Sequence, residues 1–204
     1  MNTKEFFKIF KSAVIAGLAI GLGGTVFLKV GGLAGAVLFS FGLLTVVHYK
    51  LHLYTGKSGY FDTGKDVGYL FSAVLLGNVV GCLLLACIEN FSLAEQAQQI
   101  VNGRLEAGWK TNFLMAIPCG FIMTTAVEFG KKQQWLPLLF GVPLFIMCGF
   151  RHSIADAYYY SAAGPDAWNI PLLTNWIWIV LGNFFGCNLY RAFNGLDTGD
   201  FKIN

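Results

Sequence analysis

Of 204 residues, 55% are apolar and only 12% charged, with a net charge of +3; ordinary soluble domains carry about twice that charged fraction. So few charges cannot cover a water-exposed globule of this size, and a mean hydropathy of +0.59 points to lipid as the solvent. The small positive balance is met by anionic headgroups and by the bias of cationic loops, so no nucleic-acid partner is implied.

The chain opens with Lys4, Lys8 and Lys11 beside Phe6, Phe7, Ile9 and Phe10. This pattern predicts a short amphipathic helix over residues 1–11, lying on the membrane surface. No small-residue cleavage site follows, so a signal peptide is not expected. Uncharged runs then extend from Ser12 to Leu28, Val30 to Tyr49, Val67 to Ile88, Thr111 to Val127, Gln133 to Phe150 and Ala167 to Tyr190. A helix needs roughly 17–25 mostly apolar residues to cross the hydrocarbon core. Six spans are therefore predicted, near 12–29, 31–49, 66–89, 111–129, 134–160 and 168–192, making one transmembrane domain over 1–204. Apolarity on every side of these runs argues against the ten-residue alternation of a β-barrel.

After the second run, residues 50–65 mix three Gly, two Thr and a Ser with Leu51, Leu53 and Tyr54. That mixture predicts a broken helix, since irregular backbone at membrane depth persists only inside protein or beside water. In the fourth run Pro118 is expected to kink the helix near Cys119 and Gly120. The fifth is interrupted by Cys148-Gly149-Phe150-Arg151-His152-Ser153-Ile154-Ala155-Asp156, which puts ionisable groups where they are expensive and tend to mark a pathway. His152 and Asp156 share a helix face, so a mutual hydrogen bond is feasible; a packing role for the histidine is the competing reading. Trp109, Trp168, Trp176 and Trp178 lie near segment ends and are expected in interfacial belts. Cys82, Cys87, Cys119, Cys148 and Cys187 form neither a disulfide framework nor a metal site.

The third and sixth runs repeat a pattern. Leu76-Gly77-Asn78-Val79-Val80-Gly81-Cys82 and Leu181-Gly182-Asn183-Phe184-Phe185-Gly186-Cys187 agree at five of seven positions, 105 residues apart. His52 and His152, 100 apart, keep approximate step. Two three-helix units of opposite insertion are predicted, an inverted 3+3 repeat whose broken helices meet near the midplane. Asn78 and Asn183 suit either helix packing or contact with a solute. Lys and Arg fall mostly on the side of the N-terminus, so both termini are expected in the cytoplasm. No nucleotide loop, nucleophile elbow or metal-ligand spacing suggests an enzyme or a cofactor. A channel or transporter fits best.

These motifs resemble the formate/nitrite transporter family over roughly residues 7–193. Cys148 to Asp156 is similar to the family's G-F-E-H-x-x-A-N stretch, with the central histidine at His152, and His52-Leu53-Tyr54-Thr55-Gly56-Lys57 is similar to its E-L-F-T-G-N stretch. The resemblance implies an aquaporin-like protomer in a homopentamer, in the inner membrane of a prokaryote. It implies an outer constriction at Phe39 and Phe145, an inner one at Leu43, Leu53 and Tyr54, and Thr55 beside His152. Arg104 would supply a basic vestibule, and Asn78, Asn183, His52, Lys57, Arg151 and Asp156 the supporting network. The last four, with Gly120, depart from the family pattern. The implied cargo is a small monovalent anion such as formate, nitrite or hydrosulfide, with or without a proton passed through His152. A pore for a neutral solute and a non-conducting structural or sensory protein are the alternatives.

Overall fold

Helices account for nearly all of the computed structural model, which describes residues 2–60 and 64–194. Lys202 and residues 61–63 of the expected broken loop lie outside the described residues. Helix α1 (Thr3–Val30) is capped by Asn2, whose side chain accepts from the Lys4 amide at 3.1 Å, and it stops at Gly31, where φ is 68°. One continuous helix thus replaces the expected surface segment over residues 1–11. The apolar run after Lys11 simply extends the same turns.

Helix α2 (Gly32–His48) ends in an irregular stretch over Tyr49–Leu53, followed by the single turn α3 (Tyr54–Lys57). Helix α4 (Gly64–Tyr69) passes through a π-helical stretch (Leu70–Leu75) into α5 (Leu76–Ile88). Helix α6 spans Ala94–Lys131, and its backbone leaves helical space at Gly108 (φ 71°, ψ 167°). No non-helical residue occurs at Pro118. The break falls where a positive φ is easily adopted, and only glycine supplies that freely.

The span expected over 134–160, with an interruption from Cys148, is two helices, α7 (Leu136–Met147) and α8 (Ser153–Ala162), parted by Cys148–His152. Gly149 there has φ 69°. A 3₁₀ turn (Pro165–Ala167) leads to α9 (Ile170–Cys187) and the short α10 (Leu189–Asn194).

The result is an all-α bundle of membrane-spanning helices. Thr3–Val30, Gly64–Ile88, Ala94–Lys131 and Ile170–Cys187 are long and apolar enough to cross a bilayer; α2 and α7 are apolar but shorter, at 17 and 12 residues. Phe41, Ile88, Phe140 and Leu136 point outward, while Ser40, Asn78, Asn112, His152, Asp156 and Asn183 are buried. Apolar outside and polar inside is the arrangement lipid favours.

Glycine lets the helix pairs close. A Cβ on Gly81 of α5 would overlap the Val14 carbonyl of α1, and one on Gly186 of α9 would overlap the Ile117 carbonyl of α6. Both pairs therefore pack backbone to backbone, as small residues permit. Trp176 is not in an interfacial belt. It is buried, its Nε1 donating to the Ser153 carbonyl at 2.8 Å and its ring meeting Trp168 edge-on.

Candidate functional site

Broken helices expose backbone groups that something must satisfy. At the first break Asn78 does so: its Oδ1 accepts from the Tyr54 amide at 2.8 Å and its Nδ2 donates to the His52 carbonyl at 2.9 Å, while also reaching the Ala13 carbonyl of α1 at 2.8 Å. Asn183 repeats this at the second break. It accepts from the Ser153 amide and donates to the carbonyls of Ala116 and Arg151, each at 2.8 Å. Cys82 Sγ donates to the Ile154 carbonyl and Cys187 Sγ to that of Thr55, so each half also reaches into the other half's break.

These bonds set the register between halves. Tyr54 and Ser153, 99 residues apart, are equivalent, and so are His52 and Arg151. His52 is therefore not the counterpart of His152; Leu53 is. The 100-residue spacing misleads by one position.

His152 caps α8. Its Nδ1 accepts from the Ala155 amide at 3.1 Å, and its Nε2 lies 3.0 Å from Thr55 Oγ1. An acceptor Nδ1 leaves the proton of the neutral ring on Nε2, which then donates to Thr55. The ring stacks on Phe145 at 5.4 Å between centroids, and Phe145 meets Phe39 edge-on at 6.1 Å. Leu43, Leu53 and Tyr54 are likewise buried. The Tyr54 hydroxyl donates to the Val180 carbonyl at 3.1 Å, and its ring lies against Phe71 of the π stretch.

Asp156 makes no side-chain bond to the His152 ring; its backbone amide donates to the His152 carbonyl at 2.9 Å. Its carboxylate takes a bidentate contact from Arg104, at 2.9 Å from Nη2 and 3.1 and 3.2 Å from Nε. The Arg104 charge is thus paired; its side chain is 15% exposed against a carboxylate at 1%. The helical spacing that suggested a His152–Asp156 pair is overridden because His152 sits ahead of the helix, where its ring turns to cap it. Half-buried Arg151 has no carboxylate within 4.0 Å among the described residues: Nε donates to Asn112 Oδ1 at 3.1 Å and Nη1 to the Gly149 carbonyl at 2.8 Å. Asn112 in turn donates to the Arg104 carbonyl and to Asn175 Oδ1. Sequence reading missed Asn112 and Asn175, although an amide inside an apolar run was the available signal.

On the side of the first break lies a cavity of about 670 Å³, lined in part by His48, Lys50, His52, Lys57, Tyr60 and Lys131. Its lining reaches Leu51, His52 and Gly56 and does not include Leu53, Tyr54, Thr55 or His152. His52 is tied to Ser12, whose Oγ accepts from its amide at 3.2 Å and lies 2.9 Å from its Nδ1. Tyr60 donates to Glu128, which also holds Lys131. Ionisable groups thus crowd one approach, while the junction itself is uncharged.

Comparison with protein families gives a match described as "Formate/nitrite transporter" over residues 2–194. The chain belongs to this family. Solved structures share its fold, two of them as follows. One is titled "Pentameric formate channel with formate bound" (TM-score 0.83, 21% identity, 94% of this chain and 96% of that one); the other is an "FNT family ion channel" (0.81, 19%, 93% and 89%). No curated protein sequence matches. Family membership puts the chain among transporters rather than enzymes, at a sequence distance that preserves the fold and leaves individual side chains to be read on their own.

Proposed function

We propose that this formate/nitrite transporter family member conducts small monovalent anions such as formate or nitrite through a pore in each protomer, passing between Thr55 and His152. In this reading six helices cross the membrane as an inverted 3+3 repeat of aquaporin-like form, both termini lie in the cytoplasm of a prokaryotic cell, and five copies assemble. The observation that carries it is the His152–Thr55 contact, made where two broken helices meet inside a lipid-facing bundle. The matched Asn78 and Asn183 clamps support the duplication, and the solved pentameric formate channel supports the assembly.

The chemistry follows from desolvation. A bare anion pays heavily to pass Phe39, Phe145, Leu43 and Leu53. Cationic side chains around the wide cavity concentrate anions at one mouth. At the junction, the Nε2–H of His152 and the Thr55 hydroxyl are donors that meet the anion where water is excluded. A proton passed through the imidazole would convert formate or nitrite into its neutral acid for the apolar passage.

The test is flux of formate, nitrite, hydrosulfide and chloride into proteoliposomes, followed between about pH 5 and 8, the range in which imidazole titrates. Wild-type protein should carry anions faster than it carries water osmotically, with a pH dependence that His152→Phe removes or reshapes. Identical flux and pH profile in that variant would refute the role of His152. Osmotic water flux without anion flux would favour a neutral-solute pore, and silence in both a structural protein.

A further inference from the structure

The last turns of α2 and the start of α7 enclose a second cavity, a cleft of about 360 Å³ lined by Phe41, Leu44, Thr45, His48, Tyr49 and Trp135. Positions 41, 44, 45 and 48 recur at helical spacing and make one stripe of α2. The stripe faces outward: Phe41 is 66% exposed, and Tyr49 just beyond it 68%. The His48 ring meets Tyr49 edge-on at 4.9 Å between centroids and lies 6.3 Å from Trp135. His48 and Trp135 also line the cavity of about 670 Å³ beside the first break. The apolar cleft and the basic cavity therefore share a wall.

Lys50 stands where the two meet. It lines the basic cavity, follows Tyr49 of the cleft and forms no ion pair among the described residues, whereas Lys131 across the cavity is held by Glu128. Its backbone, at φ 54°, closes α2: the Lys50 amide donates to the Val47 carbonyl at 3.2 Å and the Leu51 amide to that of Val46 at 2.9 Å. Glycine is the usual residue at this left-handed position, so a lysine there is held at a conformational cost.

An occupant of the cleft has to be apolar along its length and anionic at the Lys50 end. A second copy inserted alongside would offer the same end of its own bundle. There, among the described residues, Glu5 and Glu128 already hold Lys65 and Lys131, and Asp66 is not free. Lipid supplies both features, and basic pockets between membrane helices are where anionic headgroups settle. We propose that the cleft holds one anionic phospholipid, with an acyl chain along Phe41, Leu44 and Trp135 and its phosphate beside Lys50 and His48. The site is separate from conduction and stands whether or not the pore carries anions.

Native mass spectrometry of the full chain in detergent, with phosphatidylglycerol and phosphatidylcholine of the same acyl chains added in equal amount, reads lipid retention and assembly size together. Wild-type protein should retain phosphatidylglycerol in preference. Lys50→Gly should lower that preference about fivefold, the scale of one cation beside an anionic lipid. It should melt no lower than wild type, because glycine suits the helix end, so the lost preference is not a folding defect. Thr45→Trp fills the cleft and should lower retention of both lipids with the assembly intact. Equal preference in wild type and Lys50→Gly, or undiminished retention in Thr45→Trp, overturns the site. Loss of the assembly in Thr45→Trp with lipid still bound to each chain gives the cleft to a second copy and overturns it as well.

Discussion

His152 and Thr55 face each other across the junction of the two breaks, Nε2 to Oγ1 at 3.0 Å, while the other ring nitrogen accepts from the Ala155 amide. The backbone amide can only donate, so it dictates which nitrogen carries the proton. Nitrogen-15 NMR of histidine-labelled protein, with His48 and His52 replaced by Gln to leave one ring, should show a neutral imidazole protonated at Nε2. A ring protonated at Nδ1 would mean that the cap is not formed and that the donor at the junction points elsewhere.

Asn183 satisfies the Ser153 amide and the Arg151 carbonyl at the second break and also reaches the Ala116 carbonyl of α6. Asn183→Leu should lower stability by about 2 kcal/mol, taking three bonds at the ~0.6 kcal/mol average for polar pairs within membranes. Asn78→Leu should cost a similar amount. Unfolding by graded SDS, followed by circular dichroism, measures both, and a much smaller loss at one site would show that the two halves do not share this device equally.

Gly186 leaves no room for a side chain against Ile117, whereas Gly103, in the exposed first part of α6, has nothing within 4 Å of a built Cβ. Gly186→Ala should destabilise by at least about 1–3 kcal/mol, as overpacking does. Gly103→Ala should be neutral or stabilising by up to about 1 kcal/mol, since alanine is the better helix former. The same SDS titration checks both, and an undamaged Gly186→Ala would contradict the backbone-to-backbone contact.

The Arg104–Asp156 pair is buried on the carboxylate side. Removing the acid alone strands a guanidinium ion, so Asp156→Asn should cost about 3–5 kcal/mol. Adding Arg104→Gln should return part of that loss, because the stranded charge goes with it. Thermal unfolding of the two single variants and the double variant gives the coupling. Additive losses would mean the two groups do not act as a pair.

The sequence revealed the hydrophobic runs and the two interruptions because each carries a strong local signal: uncharged stretches of membrane length, and Gly or ionisable residues set against them. The Gly-Asn repeat exposed the duplication for the same reason. Contacts between distant elements were less legible. Asp156 lies four residues from His152, and local spacing alone favoured that pair; only the packing of α6 beside α8 brings Arg104 in to claim the carboxylate. Pro118 carried the expected kink, and Gly108 drew no notice, yet a glycine needs only a turn that suits positive φ to leave helical geometry. Trp176 looked interfacial by its place near a segment end, and its burial depends on Ser153 and Trp168 from elsewhere in the fold.

The two thiols, Cys82 reaching Ile154 and Cys187 reaching Thr55, tie each interrupted helix to the opposite half of the chain. For biogenesis this means that the first break is completed in two stages: Asn78 can clamp it once α5 follows, whereas the Thr55 carbonyl gains its thiol partner only about 130 residues later, when α9 arrives. A first half made alone would lack that last bond.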